Sequence, residues 1–90
     1  MIIDIIKMRI KINDYIVADT DICHGTPTFK GTRVMVWLVL EMLRDGVPIE
    51  EITKNFIVPL KKENIKAALD YASMITKGSD NVVVSVGEQS

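Results

Sequence analysis

The side chains that could support a reaction are few in this chain, and their spacing argues against a catalytic or metal site. Cys23 and His24 are its single cysteine and single histidine, and they are adjacent. Neighbours in an extended segment point to opposite faces, so this pair is poorly placed to act as nucleophile and base. One cysteine and one histidine also cannot supply the four ligands of a structural zinc site within one subunit. We therefore expect a protein that is not an enzyme and that needs no metal or cofactor.

Two other patterns that could suggest a reaction site are better explained by local structure. Glu50 and Glu51 are adjacent and do not share a helix face, whereas the helix dipole favours negative charge in a first turn. Gly25, Gly31 and Gly46 lack the GxGxxG or GxxxxGK[ST] spacing of a phosphate-binding loop. These glycines are typical of turns.

Composition and charge limit the class of protein. Ninety residues fit one domain, and 48% apolar with 26% charged residues is typical of a folded globule. The formal net charge is −1, so any nucleic-acid binding must depend on a local group of cations. The Ile-rich start is interrupted by Asp4 and followed by Lys7 and Arg9, unlike a signal peptide. With the lone Cys23, this predicts a cytoplasmic protein.

The spacing of apolar residues predicts a short β-arm followed by three helices. Alternation over 6–12 and short extended runs at 15–18 and 27–30 indicate strands. A helix is predicted from Val34 to Asp45, with Thr32 as N-cap and Gly46 after its end. A second, short helix begins at Pro48 and ends before Pro59, and a third spans 61–77. The valine-rich segment 82–86 is either a strand or a disordered end.

These elements predict a mainly α fold, a helix-turn-helix bundle with a short N-terminal β-arm. We assign residues 1–15 to the arm, 16–78 to the helical domain and 79–90 to a tail. In a helix-turn-helix the second helix of the pair lies in the major groove. The predicted DNA-binding residues are therefore those near the start of the third helix: Lys61, Lys62, Asn64 and Lys66. A solvated helix face is the alternative explanation for these four polar residues.

The first helix carries more apolar surface than one core requires. Apolar surface of this kind often marks a contact with another protein, and the alternative is that the β-arm covers it. Arg33, just before this helix, can hold a carboxylate within the domain or on a partner. The predicted partner interface consists of Arg33, Met35, Trp37, Leu38, Val39 and Met42. We also expect a homodimer, the commonest soluble oligomer.

The order of these motifs resembles the domain-of-unknown-function family 433. The resemblance covers about residues 16 to 75 and is carried by Gly25-Thr26-Pro27, Gly31-Thr32-Arg33, Val36, Leu40, Leu43, Gly46, Glu50-Glu51-Ile52, Phe56, Leu60, Ile65, Ala67-Ala68-Leu69 and Tyr71-Ala72. It implies a VapB-type antitoxin with a three-helical, homeodomain-like DNA-binding fold. It also implies a PIN-like ribonuclease toxin and operator DNA as partners. A stand-alone DNA-binding regulator and a non-catalytic dimerisation module remain the alternatives.

Overall fold

A computed structural model of the chain describes residues 7–78. Three strands are followed by three helices, and the elements are β1 (Arg9–Asn13), β2 (Ile16–Asp19), a 3₁₀ turn (Cys23–Gly25), β3 (Thr28–Phe29), α1 (Val36–Arg44), α2 (Ile49–Lys54) and α3 (Lys62–Gly78). The predicted start of the first strand at Ile6 and the valine-rich segment 82–86 lie outside the described residues. Within residues 7–78 no helix is both long and apolar enough to cross a membrane.

The strands form one antiparallel sheet in the order β1-β2-β3. Arg9 is paired with Asp19 in β1 and β2, and Ile16 with Phe29 in β2 and β3. The register shifts between Lys11 and Asn13, where the strand has an irregularity next to the turn. Strand β1 belongs to the segment predicted as an arm, and it is hydrogen-bonded to the strand that begins the predicted domain.

The hydrophobic core lies between one face of the sheet and the helices. Ile16 and Phe29 from the sheet are fully buried there, and the helical side contributes Val36, Val39, Ile52, Leu60, Ile65, Ala67 and Ala68. Asn13 links the two sides, because its side-chain amide donates to the carbonyl oxygen of Ala67 in α3 at 3.3 Å. The β-strands are therefore part of the core, which the helices alone do not form.

The prediction of a mainly α fold, a homeodomain-like three-helix bundle with a short arm, is wrong. The chain has a mixed α/β fold, with a three-stranded antiparallel sheet before the three helices. Each strand is too short to be stable by itself, which led to the expectation of an accessory arm. The sheet is stable because Ile16 and Phe29 bury their side chains against the helices.

The start of α1 also differs from the prediction, because Thr32 builds a turn and does not cap the helix. Its hydroxyl donates to the carbonyl oxygen of Phe29 at 2.8 Å and accepts from the amide of Val34 at 3.0 Å. The amide of Phe29 in turn donates to the carbonyl oxygen of Val34 at 3.0 Å. Val34 is thereby held out of the helix, and α1 begins two residues later, at Val36. At the other end, the φ of +82° at Gly46 confirms its predicted role after the helix.

Candidate binding surfaces

The first turn of α3 uses one of the predicted DNA-binding residues for its own cap. Lys61 precedes the helix, and its amide donates to the Oδ1 atom of Asn64 at 2.8 Å. This hydrogen bond is one of the two in a capping box, the one in which the side chain at the third helical position accepts from the amide of the N-cap residue. Asn64 therefore has a local structural role, and its carbonyl oxygen is already engaged.

Lys66 lies among acidic side chains. Its Nζ atom is 3.5 Å from the Oδ2 atom of Asp70, one turn further along α3. A surface depression between the β1–β2 turn and α3 is lined by both residues together with Asp14 and Glu63. Three carboxylates and one ammonium give this depression a net negative charge, which opposes the approach of phosphate.

Lys61 and Lys62 differ from Lys66. Both are exposed, and in the range 7–78 neither has an ion pair. They stand at the N-terminal end of the 17-residue helix α3, where the helix dipole adds to their positive potential. Among the described residues, the four predicted DNA-binding residues are thus two cations without an ion pair, one capping residue and one paired cation.

The residues predicted on the first helix lie on more than one side of it. Leu38 and Met42 are one turn apart on one row and are partly exposed, and Met42 also packs against the core. Trp37 lies on the next row together with Glu41 and is 45% exposed. We call the surface formed by Trp37, Leu38, Glu41 and Met42 the outer face of α1. Val39 points away from Trp37 and is fully buried in the core, so its side chain is not part of this face.

Arg33 and Met35 lie in the segment between β3 and α1. Met35 is extended, forms an isolated bridge with Thr28 and is partly exposed. Arg33 is exposed and makes no ion pair within residues 7–78, so the intramolecular salt bridge is not formed there. Lys30 is also exposed and has no acidic partner in the same range. Lys30 and Arg33, which directly flank Gly31 and Thr32, are thus two cations without an acidic partner in the described part of the chain.

A family model recognises the region that contains the Gly31-Thr32-Arg33 turn and helix α1. The model of a protein family of unknown function, DUF433, matches residues 16–72. The chain belongs to the DUF433 family. The match begins at β2 and ends within α3, so β1 precedes it. Comparisons with curated proteins and with solved structures gave no match.

The Cys23–His24 segment of this DUF433 chain is strained rather than extended. Cys23 and His24 have φ values of 51° and 57°, in the left-handed region that L-residues avoid, and Gly25 follows at 88°. The Cys23 thiol is 3.7 Å from the carbonyl oxygen of Arg33, to which it donates a weak hydrogen bond. Sequence reasoning missed this strain. The described part of the chain contains no group of three or more His, Cys, Asp or Glu residues that could hold a metal ion.

Asp19 organises the turn that follows β2. Its Oδ1 atom accepts from the amide of Asp21 at 2.8 Å, and its Oδ2 atom accepts from Nη1 of Arg9 at 3.0 Å. The hydrogen bond from Asp21, and then the interaction with Arg9, lower the pKa of the Asp19 carboxyl below its ordinary value. The ionised carboxylate therefore holds together the ends of β1 and β2 that lie away from their connecting turn.

Thr28 is a buried polar residue that the sequence did not single out. It lies in β3, is fully buried, and its hydroxyl oxygen has no hydrogen-bond partner within the described residues. It is paired with Val17, which is also buried, on the face of the sheet away from the helical core. No local pattern distinguishes such a threonine from one whose hydroxyl reaches water.

Proposed function

We propose that this DUF433 protein is the antitoxin of a type II toxin–antitoxin pair and neutralises a PIN-like ribonuclease by binding it through the outer face of α1. The observation that carries the proposal is Trp37, which is 45% exposed on a helix whose opposite side already fills the core. Tryptophan supplies a large apolar contact area and is enriched among the residues that dominate binding energy. Leu38 extends the same surface, and Met42, which also packs against the core, borders it with its exposed part.

Arg33 supports an acidic partner. It is exposed, it has no ion pair within residues 7–78, and its guanidinium can hold a carboxylate through two hydrogen bonds. A PIN-like ribonuclease holds its metal with a cluster of acidic residues, which is a suitable target for a free arginine. We therefore propose that the apolar outer face of α1 supplies the affinity and that Arg33 blocks the acidic site of the nuclease.

This proposal is tested by co-purification. The expected partner is a small protein with spaced aspartates, encoded by an adjoining reading frame. Trp37→Ala should weaken binding at least about 30-fold, because an interface hot spot contributes about 2 kcal/mol or more. Ile57→Ala is the matched control, since Ile57 is 100% exposed but lies in the loop between α2 and α3. Equal binding by the two variants would contradict the proposed surface. Absence of any such nuclease gene and of any co-purifying nuclease would contradict the antitoxin function.

Arg33 is tested separately by ribonuclease inhibition. Arg33→Ala should retain binding through Trp37 but release nuclease activity, because the acidic site is no longer blocked. Lys77→Glu, at the far end of α3, is the control for a change of surface charge. Full inhibition by Arg33→Ala would show that the arginine does not reach the active site.

Binding to operator DNA is the second part of the proposed function, and it is supported by Lys61 and Lys62. The logarithm of the DNA-binding constant falls linearly with the logarithm of the salt concentration, and removing one phosphate contact reduces this slope by about one. Lys62→Ala should show this change in a gel shift at several salt concentrations, whereas Lys66→Ala should show less, because Lys66 is paired with Asp70. No shift at low salt would remove DNA binding. A shift in a chain without a toxin partner would instead support a stand-alone regulator.

A further inference from the structure

The outer edge of β1 is open within the described part of the chain. The sheet order is β1-β2-β3, so between residues 7 and 78 no segment pairs with the other side of β1. The amide of Thr20 donates to the carbonyl oxygen of Met8 at 3.0 Å, and Arg9 is paired with Asp19. Because backbone groups alternate in an antiparallel ladder, those of Arg9 and Lys11 point to the open edge.

The side chains of β1 also alternate. Met8, just before the strand, and Ile10 are 51% and 52% exposed, and they lie on the same face as Ile12, which packs against the core. Arg9 and Lys11 lie on the opposite face. Each has an intramolecular acidic partner, since Arg9 is 3.0 Å from Asp19 and Lys11 is 3.1 Å from Asp14. The edge therefore combines backbone groups that have no partner strand among residues 7–78, a half-exposed apolar strip and a polar face whose charges are already compensated.

We infer that a second copy of the chain pairs with this edge, β1 against β1, about a two-fold axis at Ile10. With this axis Ile10 faces Ile10 of the second copy, and Met8 faces Ile12 of the second copy. Arg9 and Lys11 then exchange the edge hydrogen bonds, because their backbone groups point outward. The result is a six-stranded sheet with an apolar strip that continues across the axis.

The symmetry of the apolar strip favours a second copy over an unrelated strand. The apolar strip is self-complementary about Ile10, as a two-fold interface requires. On the polar face Arg9 approaches Lys11 of the second copy, and this is tolerated because Asp19 and Asp14 accompany the two cations in each copy. The irregularity between Lys11 and Asn13 falls at Ile12, so the regular ladder is confined to the residues nearest the axis, and Ile12 contributes only its apolar side chain.

Cysteine cross-linking in the full chain tests the pairing. In a Cys23→Ser background, Ile10→Cys places two thiols across the axis, where Cα atoms of a non-hydrogen-bonded pair are about 4.5 Å apart and can form a disulfide. Mild oxidation should give a covalent dimer in high yield. Ile57→Cys measures the yield of disulfides that form by random collision, because Ile57 is fully exposed. A yield for Ile10→Cys no higher than for Ile57→Cys would overturn the pairing.

Analytical ultracentrifugation of the native sequence and of Ile10→Lys gives an independent result. The native chain should sediment as a dimer, and Ile10→Lys should be a monomer, because two ammonium groups would meet at the axis. Circular dichroism checks that Ile10→Lys remains folded, which is expected because Ile10 is half exposed. A native monomer at all concentrations would refute the inference and would favour another occupant of the edge. A dimer that persists in Ile10→Lys would place the interface elsewhere.

Discussion

Replacing Thr28 by valine should stabilise the protein, whereas the same change at a hydrogen-bonded threonine is unfavourable. Thr28 is fully buried and its hydroxyl has no partner among residues 7–78. Burying a hydroxyl without a hydrogen bond costs about 1–3 kcal/mol in proteins. Valine has nearly the same shape and suits a strand. We therefore expect Thr28→Val to raise the free energy of unfolding by about 1–2 kcal/mol.

Two control substitutions isolate the hydroxyl. Thr28→Ser keeps it and removes a buried methyl, so the free energy of unfolding should fall by about 1 kcal/mol. Thr32→Val makes the same chemical change where the hydroxyl has partners at 2.8 Å and 3.0 Å, the carbonyl oxygen of Phe29 and the amide of Val34. Loss of these two bonds should lower the free energy of unfolding by about 1–3 kcal/mol.

Urea unfolding followed by far-UV circular dichroism measures all three variants. In thermal unfolding, 1 kcal/mol corresponds to a shift in Tm of roughly 4–8 °C for a domain of this size. Thr28→Val and Thr32→Val should therefore shift Tm in opposite directions. A loss of stability in Thr28→Val similar to that of Thr32→Val would refute the reasoning, because it would mean that the Thr28 hydroxyl is hydrogen-bonded.

Three further predictions concern the remaining local features. His24→Gly should raise the free energy of unfolding by about 1 kcal/mol relative to His24→Ala in urea unfolding, because glycine adopts a φ of 57° without strain. The pKa of Asp19 is lower in the folded state than in the unfolded state, so its ionised carboxylate stabilises the fold at a pH above the unfolded-state pKa. This stabilisation is lost as the pH falls through the folded-state pKa. Unfolding measured between neutral and strongly acidic pH should therefore depend less on pH in Asp19→Asn, and an unchanged pH profile would contradict this role. Asn64→Ala should lower the free energy of unfolding by about 1 kcal/mol and leave the salt slope of DNA binding unchanged, which a gel shift can check.

Local patterns in the sequence determined where the helices and turns lie. The apolar run at 34–40 and the 3.6-residue spacing of 65–75 indicate α1 and α3, and the structure has both helices within two residues of the predicted bounds. Gly46 ends α1 as predicted, because a left-handed residue after a helix is a local requirement. The order of these motifs over about residues 16 to 75 also indicated the DUF433 family, whose model matches residues 16–72.

Tertiary structure decided how the sheet and the binding surfaces are formed. The burial of Ile16 and Phe29 depends on helices far along the chain, so periodicity within each short strand could not show that they belong to the core. The same holds on α1, where contact with the core separates the buried Val39 from the exposed Trp37. Asn64 and Lys66 acquire partners only when α3 is formed. Neighbouring residues set the local conformation, whereas burial and charge pairing depend on residues that meet only in the folded chain.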